Sequence, residues 1–155
     1  MFQLKSEKEL LAAFRTRDRK HVEPPPGLQY PLFVRNYLSW VDPTGVRAFI
    51  VFAGPDESHP TGIAFRRDQT GEGGGSGLCE WCHSSGSSDE IGLLTTDVSG
   101  HKRVGVYLCR DLRCEAKIQD AADRSGRNPI PPTREALLRM SRFAENALGI
   151  KQTNR

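Results

Sequence analysis

The sequence predicts an α+β fold, a small antiparallel sheet with flanking helices. Three observations carry that prediction. Two extended runs rich in aromatic and β-branched residues, Phe33 to Val41 and Val46 to Ala53, are joined by a tight turn. Helical periodicity is confined to the two ends of the chain. All four cysteines fall into two close pairs, Cys79 with Cys82 and Cys109 with Cys114, separated by a gap the size of a hairpin.

Taken in order, Ser6-Glu7-Lys8-Glu9 reads as a capping box with Ser6 as N-cap and Glu9 at N3. The helix it opens carries Leu10, Leu11 and Phe14 on one side. It is expected to run to the cluster Arg15, Arg17, Arg19 and Lys20, whose cations suit a helix C-terminus. Glu23-Pro24-Pro25-Pro26-Gly27 stops it. Asp42-Pro43-Thr44-Gly45, with proline second and glycine fourth, predicts a type I turn between the two extended runs. The second run is apolar on both faces and reads as a central strand. A third strand is expected over Gly62 to Arg66.

Gly71 to Gly77 reads as a flexible linker, dividing the chain into residues 1–70, the linker 71–77 and a part spanning 78–150 that packs with the first. The glycines do not make a phosphate-binding loop, because no Gly-Lys-Ser/Thr follows and a cysteine pair, not a helix, comes next.

Two residues between Cys79 and Cys82 form the shortest loop that lets both thiolates meet one ion at ~2.3 Å, the turn called a zinc knuckle. Gly77 is expected to allow the tight approach. Cys109 and Cys114 are five residues apart, so at ~100° per residue they cannot share a helical face. They converge if Cys109 ends a strand and Cys114 lies in the first turn of the helix that follows. Ile91 to Val98 and Arg103 to Leu108 supply the intervening hairpin around Ser99-Gly100. Knuckle, hairpin and helix with a ligand in its first turn make a treble clef holding one structural Zn²⁺ on Cys79, Cys82, Cys109 and Cys114. A disulfide pair would need an oxidising compartment, and a redox dithiol at Cys79 and Cys82 leaves the second pair without a role. Four thiolates on Zn²⁺ carry a formal −2, for which Lys102, Arg103, Arg110, Arg113 and Lys117 offer compensation.

The helix after Cys109 is expected from about residue 111 to 125, ended by Gly126, with Cys114, Ile118, Ala121 and Ser125 on its core face. Its adjacent stripe is Arg113, Lys117, Asp120 and Arg124, mostly basic. Asn128-Pro129-Ile130-Pro131-Pro132 reads as a rigid connector and Thr133 as the cap of a last helix with core residues Leu137, Met140, Ala144 and Leu148. Phe143 lies at the margin of that core stripe. Trp81 is expected to pack over the metal, and His21, His59, His83 and His101 to lie in loops or on the surface.

Composition narrows the function classes. The 155 residues suit one domain, and the longest apolar run, Ala48 to Ala53, is too short for a membrane span. The N-terminus has no apolar leader segment, so a cytoplasmic location is expected. A net charge of +3 permits an RNA or acidic-protein partner without demanding one. No nucleophile, base and orienter come together, Asp89 and Glu90 point to opposite sides of an extended chain, and a closed four-thiolate site is structural. A non-catalytic protein with no small-molecule substrate is expected.

Gly77-Leu78-Cys79-Glu80-Trp81-Cys82, followed by Val106-Tyr107-Leu108-Cys109-Arg110-Asp111-Leu112-Arg113-Cys114, resembles the C-terminal treble-clef zinc-finger domain of the FusB-type, elongation-factor-G-binding fusidic acid resistance proteins. The resemblance runs from about Gly77 to Ile118 and extends to Leu148. Over Met1 to Arg67 it rests on the order and length of elements. It implies a cytoplasmic adaptor of translation that binds elongation factor G, with the zinc-finger helix and the last helix as the contact surface. By position, Lys117 and Phe143, supported by Arg113 and Arg124, are the implied partner-binding residues. Two departures stand out: a single helix precedes the sheet where resistance members carry a bundle, and Glu115-Ala116-Lys117-Ile118-Gln119 follows Cys114 where an aromatic and an arginine are expected. The competing reading is a zinc module that binds ribosomal or other RNA through the basic stripe of Arg113, Lys117 and Arg124.

Overall fold

The computed structural model describes residues 1–54, 59–67 and 77–150. The elements are β1 (Phe2–Leu4), α1 (Glu7–Ala12), α2 (Thr16–Arg19), β2 (Leu32–Val34), β3 (Tyr37–Val41), β4 (Arg47–Ala53), β5 (Pro60–Arg67), β6 (Gly77–Leu78), β7 (Ser85–Gly86), β8 (Ile91–Asp97), β9 (Arg103–Cys109), α3 (Cys114–Ser125) and α4 (Ile130–Leu148). Five of the strands form one antiparallel sheet in the order β3-β4-β5-β8-β9, with β9 at its edge. The predicted α+β class, antiparallel pairing and flanking helices are all present. Strands before and after the glycine-rich segment belong to the same sheet, because Arg66 and Arg67 pair with Thr95 and Leu94. The linker expected at 71–77 lies outside the described residues except for Gly77, which sits in β6.

Alternation along β4 divides its side chains between two cores. Ala48, Ile50 and Phe52 join Leu94, Val106, Leu108, the knuckles and α4 on one face. Phe49, Val51 and Ala53 join Leu4, Leu10, Phe14 and Val34 on the other. The central-strand reading of that run therefore holds: every residue from Ala48 to Ala53 is buried.

Several expected boundaries moved, each for a physical reason. Ser6 caps α1, its Oγ accepting from the Glu9 N–H, but the helix stops at Ala12. Arg15 is extended (φ −61°, ψ 151°), Ala13 O accepts from Gly62 N–H at 2.8 Å, and α2 begins afresh at Thr16. A contact with the sheet thus interrupts a segment that reads as one helix. The run Phe33 to Val41 also divides: Leu32–Val34 pairs with β1, while Tyr37–Val41 joins the main sheet. The turn between β3 and β4 forms as expected, with Gly45 at φ 76° and its N–H on Asp42 O.

In α3 the buried residues are Cys114, Ile118 and Ala122, while Ala121 and Ser125 are exposed. The core face is turned by about 30° from the expected one at ~100° per residue. Gly126 ends the helix at φ 72°. The last helix begins at Ile130, not Thr133, so Pro131 and Pro132 fall in its first turn, where no N–H partner is required. Thr133 donates to Pro129 O at 2.7 Å. Met140, Ala144 and Leu148 are buried as expected, and Leu137 is half-buried.

Candidate metal centre

The strands β6 and β7 bracket the first knuckle. Cys79 N–H donates to Ser84 O and His83 N–H to Cys79 O, so the chain reverses around Cys82. The left-handed conformation this reversal needs falls on His83 (φ 61°), not on Gly77. Gly77 serves packing instead: a Cβ there would lie 3.1 Å from the Ile91 side chain. Glu80 N–H donates to Tyr107 O, fastening the knuckle to the edge strand β9.

At the second knuckle, Cys109 ends β9 and Cys114 opens α3, the strand-to-helix junction that the five-residue spacing demanded. Between them Leu112 is left-handed (φ 58°) and fully buried. Its carbonyl accepts from the hydroxyls of Tyr37 and Ser39, and the Tyr37 hydroxyl accepts in turn from Glu115 N–H at 2.8 Å. Burial pushes the Tyr37 phenol well above its ordinary range, with the nearby Cys114 sulfur adding to the effect. Two polar residues of β3 therefore hold the metal-binding loop, a role with no local sequence signature.

The four Sγ atoms lie within 4.8 Å of one another, with Cys79 to Cys114 at 3.7 Å and Cys82 to Cys109 at 3.6 Å. A regular tetrahedron of sulfurs around an ion at ~2.3 Å has edges of about 3.8 Å, so the set fits one Zn²⁺. Hydrogen bonds from Cys109 and Cys114 draw the Cys79 thiol down, and donation to Cys109 pushes the Cys114 thiol up. A divalent cation would let all four bind as thiolates. All four ligand positions are filled by protein, which leaves no open coordination position.

Charge compensation is narrower than expected. Lys117 Nζ is 2.9 Å from Glu90 Oε2, whose hydrogen bond raises its pKa most, and Cys109 and Cys82 add to the rise, placing its ammonium in the field of the sulfurs. Lys102 and Arg103 stand at the far end of the β8–β9 hairpin, where Arg103 pairs with Asp97 at 3.1 Å. Trp81 is 2 % exposed and forms an aromatic group with Phe65 and Phe143, ring centroids 5.8–5.9 Å apart. Arg139 donates to the Trp81 carbonyl at 2.8 Å, tying α4 to the knuckle. Phe143 is half-buried in that group, Arg113 and Arg124 are exposed, and His83 and His101 are exposed away from the ligand set.

A family model described as the FBP C-terminal treble-clef zinc-finger matches residues 8–151. The chain belongs to that family. The match covers the N-terminal helices and strands β2 to β5 as well as the cysteine segment, so the likeness reaches well beyond Gly77 to Leu148. The solved structure of the fusidic acid resistance protein FusC is similar in fold, at a TM-score of 0.56 and 18 % identity. That likeness covers 96 % of this chain and 59 % of FusC, so the chain spans about three fifths of that protein's length. A search of curated proteins finds no match. In this family setting Glu115, one of the departures in the motif, has a structural partner: its Oε2 accepts from Asn36 Nδ2 at 3.1 Å. No helix among the described residues is long and apolar enough to cross a membrane.

Proposed function

We propose that this protein is a zinc-stabilised, non-catalytic binding module that engages elongation factor G and acts on translation elongation at the ribosome. The observation that carries the reading is the family match over residues 8–151, with a metal site closed by four cysteines. A closed site shapes a surface instead of activating water. The fold likeness to FusC supports the same setting; with the departures after Cys114, a housekeeping or divergent role in the cytoplasm, not dedicated resistance, is part of the proposal.

The contact surface in this reading is α3 with α4. Arg113 and Arg124 are two of its exposed cations, and no ion pair to either is found among the described residues. Lys117 contributes after exchanging its Glu90 partner, and Phe143 contributes the uncovered part of its ring. Titration of purified elongation factor G into the zinc-loaded chain tests this. Micromolar or tighter association is expected, weakened at least tenfold by the Arg113→Glu, Arg124→Glu double variant, with secondary structure and zinc content retained. Lys117→Glu should act in the same direction. Phe143→Ala is informative only beside a stability measurement, because the ring also packs against Phe65 and Trp81. Absence of any association at micromolar concentrations would sink the reading.

The exposed pair Arg113 and Arg124 also favours a second reading, RNA or ribosome binding by this helix. Phosphate contacts release counterions, so affinity would then fall steeply with salt, whereas a protein interface anchored by aromatic burial would respond less.

A further inference from the structure

The main sheet is covered unequally. Its zinc-side face is sealed by the knuckles, α3 and α4. The opposite face is covered over β3, β4 and part of β5 by α1, α2 and the β1–β2 pair. Among the described residues, cover over β8 on that face is confined to its Thr95–Asp97 end, where Arg15 donates to Thr96 and to the Asp97 carbonyl, and Tyr107 of β9 projects from the face with 54 % of its surface exposed.

Register specifies what surrounds the ring. Arg47 pairs with Arg66, Arg66 with Thr95 and Thr95 with Gly105, so these four form one row across the sheet on the Tyr107 face. Leu93 is directly opposite Tyr107, and Arg103 opposite Asp97, two residues to either side of that row. A Cβ on Gly105 would approach the Leu93 side chain to 3.0 Å and that of Thr95 to 3.5 Å, so Leu93 leans over Gly105 and supplies apolar surface beside the ring. Two arginines directly opposite each other repel. Arg47 and Arg66 border a small cleft shared with His21 and Thr95. Asp97 and Asp18 line the same cleft but are each paired with another cation, Asp97 with Arg103 and Asp18 with Arg15. The imidazole there is held below its usual range, first by partial burial and then by Arg47 and Lys20.

We propose that this face binds single-stranded RNA, one base stacking on Tyr107 while the backbone phosphates run along Arg66, Arg47 and Arg103. An exposed ring on a sheet face that also carries a facing pair of arginines suits stacking combined with phosphate contact. The Thr95 hydroxyl on the same face offers a hydrogen bond to a ribose 2′-hydroxyl. An acidic peptide would satisfy the arginines but leave the ring unused. A peptide adding as a strand would need the β9 edge, where the Tyr107 carbonyl is already taken by Glu80 N–H. The inference is independent of the elongation factor reading, which uses helices packed on the opposite face.

The test is fluorescence anisotropy of a labelled short oligouridylate titrated with the zinc-loaded full chain. Micromolar binding that weakens steeply from low to physiological salt is expected. Tyr107→Ala should weaken it about tenfold and Tyr107→Phe should not, since stacking needs only the ring. Arg66→Glu should weaken it strongly, and Arg113→Glu, on α3, should leave it unchanged. No anisotropy change at low salt, indifference to Tyr107→Ala, equal binding of a DNA strand of the same sequence, or preference for an acidic peptide would each overturn the proposal. Chemical-shift mapping on the unaltered chain decides without any substitution. Shifts at Leu93, Thr95 and Gly105 support the site, and shifts confined to α3 and α4 refute it.

Discussion

His83 and Leu112 take left-handed backbone at φ 61° and 58°, one immediately after the first knuckle and the other inside the second. A residue with a Cβ pays roughly 1–2 kcal/mol for that conformation. His83 is exposed, so His83→Gly should stabilise the zinc-loaded protein by about 0.5–1 kcal/mol after the added freedom of glycine in the unfolded chain. Leu112 is fully buried. Leu112→Gly relieves the same strain but removes a core side chain at about 2–5 kcal/mol, so it should destabilise. Denaturant titration in saturating zinc checks both signs. Tyr37 is a third informative position. Tyr37→Phe deletes a hydroxyl that donates to Leu112 O and accepts from Glu115 N–H, and should cost about 1–3 kcal/mol. Its folded pKa is raised above the unfolded value of 10.0, so its contribution is complete below pH 10 and lost as pH rises beyond it. The alkaline fall in stability should therefore be shallower in Tyr37→Phe than in the parent, as read from melts across the alkaline range. The cysteine pattern in the sequence locates these loops, but not which residue in each bears the strain.

Among elements, the α1–α2 break shows where periodicity misleads. Leu10, Leu11 and Phe14 carry a helical pattern, yet Phe14 leaves the helix and lies over Gly62, where an added Cβ would come within 2.7 Å of the ring. The ring also meets Trp40 and Phe49 edge-on at 6.2 and 6.1 Å. Gly62→Ala should therefore cost about 1–3 kcal/mol by overpacking, measurable by urea unfolding, and Phe14→Leu in the same chain should recover part of it. The three-residue strands β1 and β2 are too short for alternation to announce them. They form because Phe2, Leu4 and Val34 cap the second core. By contrast β4, β8, β9 and α4 were legible, because each carries enough apolar residues at one period to specify its face. The core face of α3 lies about 30° from the one its sequence predicts at ~100° per residue, since alanines and a serine distinguish a helix face poorly and the packing against α4 decides it.

For the whole molecule, the sheet joins the metal half to the rest. Because β5 pairs with β8 and both cores share β4, zinc removal should be felt throughout the chain. Structural zinc contributes on the order of 10 kcal/mol in small modules. Chelation, or Cys109→Ser, is expected to abolish the folded state of the β6–α4 region and lower the thermal transition of the remainder. Near-ultraviolet dichroism should follow Trp81 in one core and Trp40 in the other. Native protein should hold one zinc per chain, and a well-folded, metal-free Cys109→Ser variant would contradict the structural role.

The sequence by itself determined the metal centre. Ligand type, the two-residue loop and the five-residue loop are local constraints, and chain geometry leaves one way to bring four sulfurs together. It likewise determined the central strand and the last helix, whose apolar periods are long. Only the tertiary structure decided that Tyr37 and Ser39 hold the second knuckle, that Lys117 sits in the field of the sulfurs, and that Arg47, Arg66 and Tyr107 share an uncovered sheet face. Those neighbours are up to about seventy-five residues apart in sequence. Their meeting depends on which strands pair and in what register, and a single residue's shift of register would send each side chain to the other face.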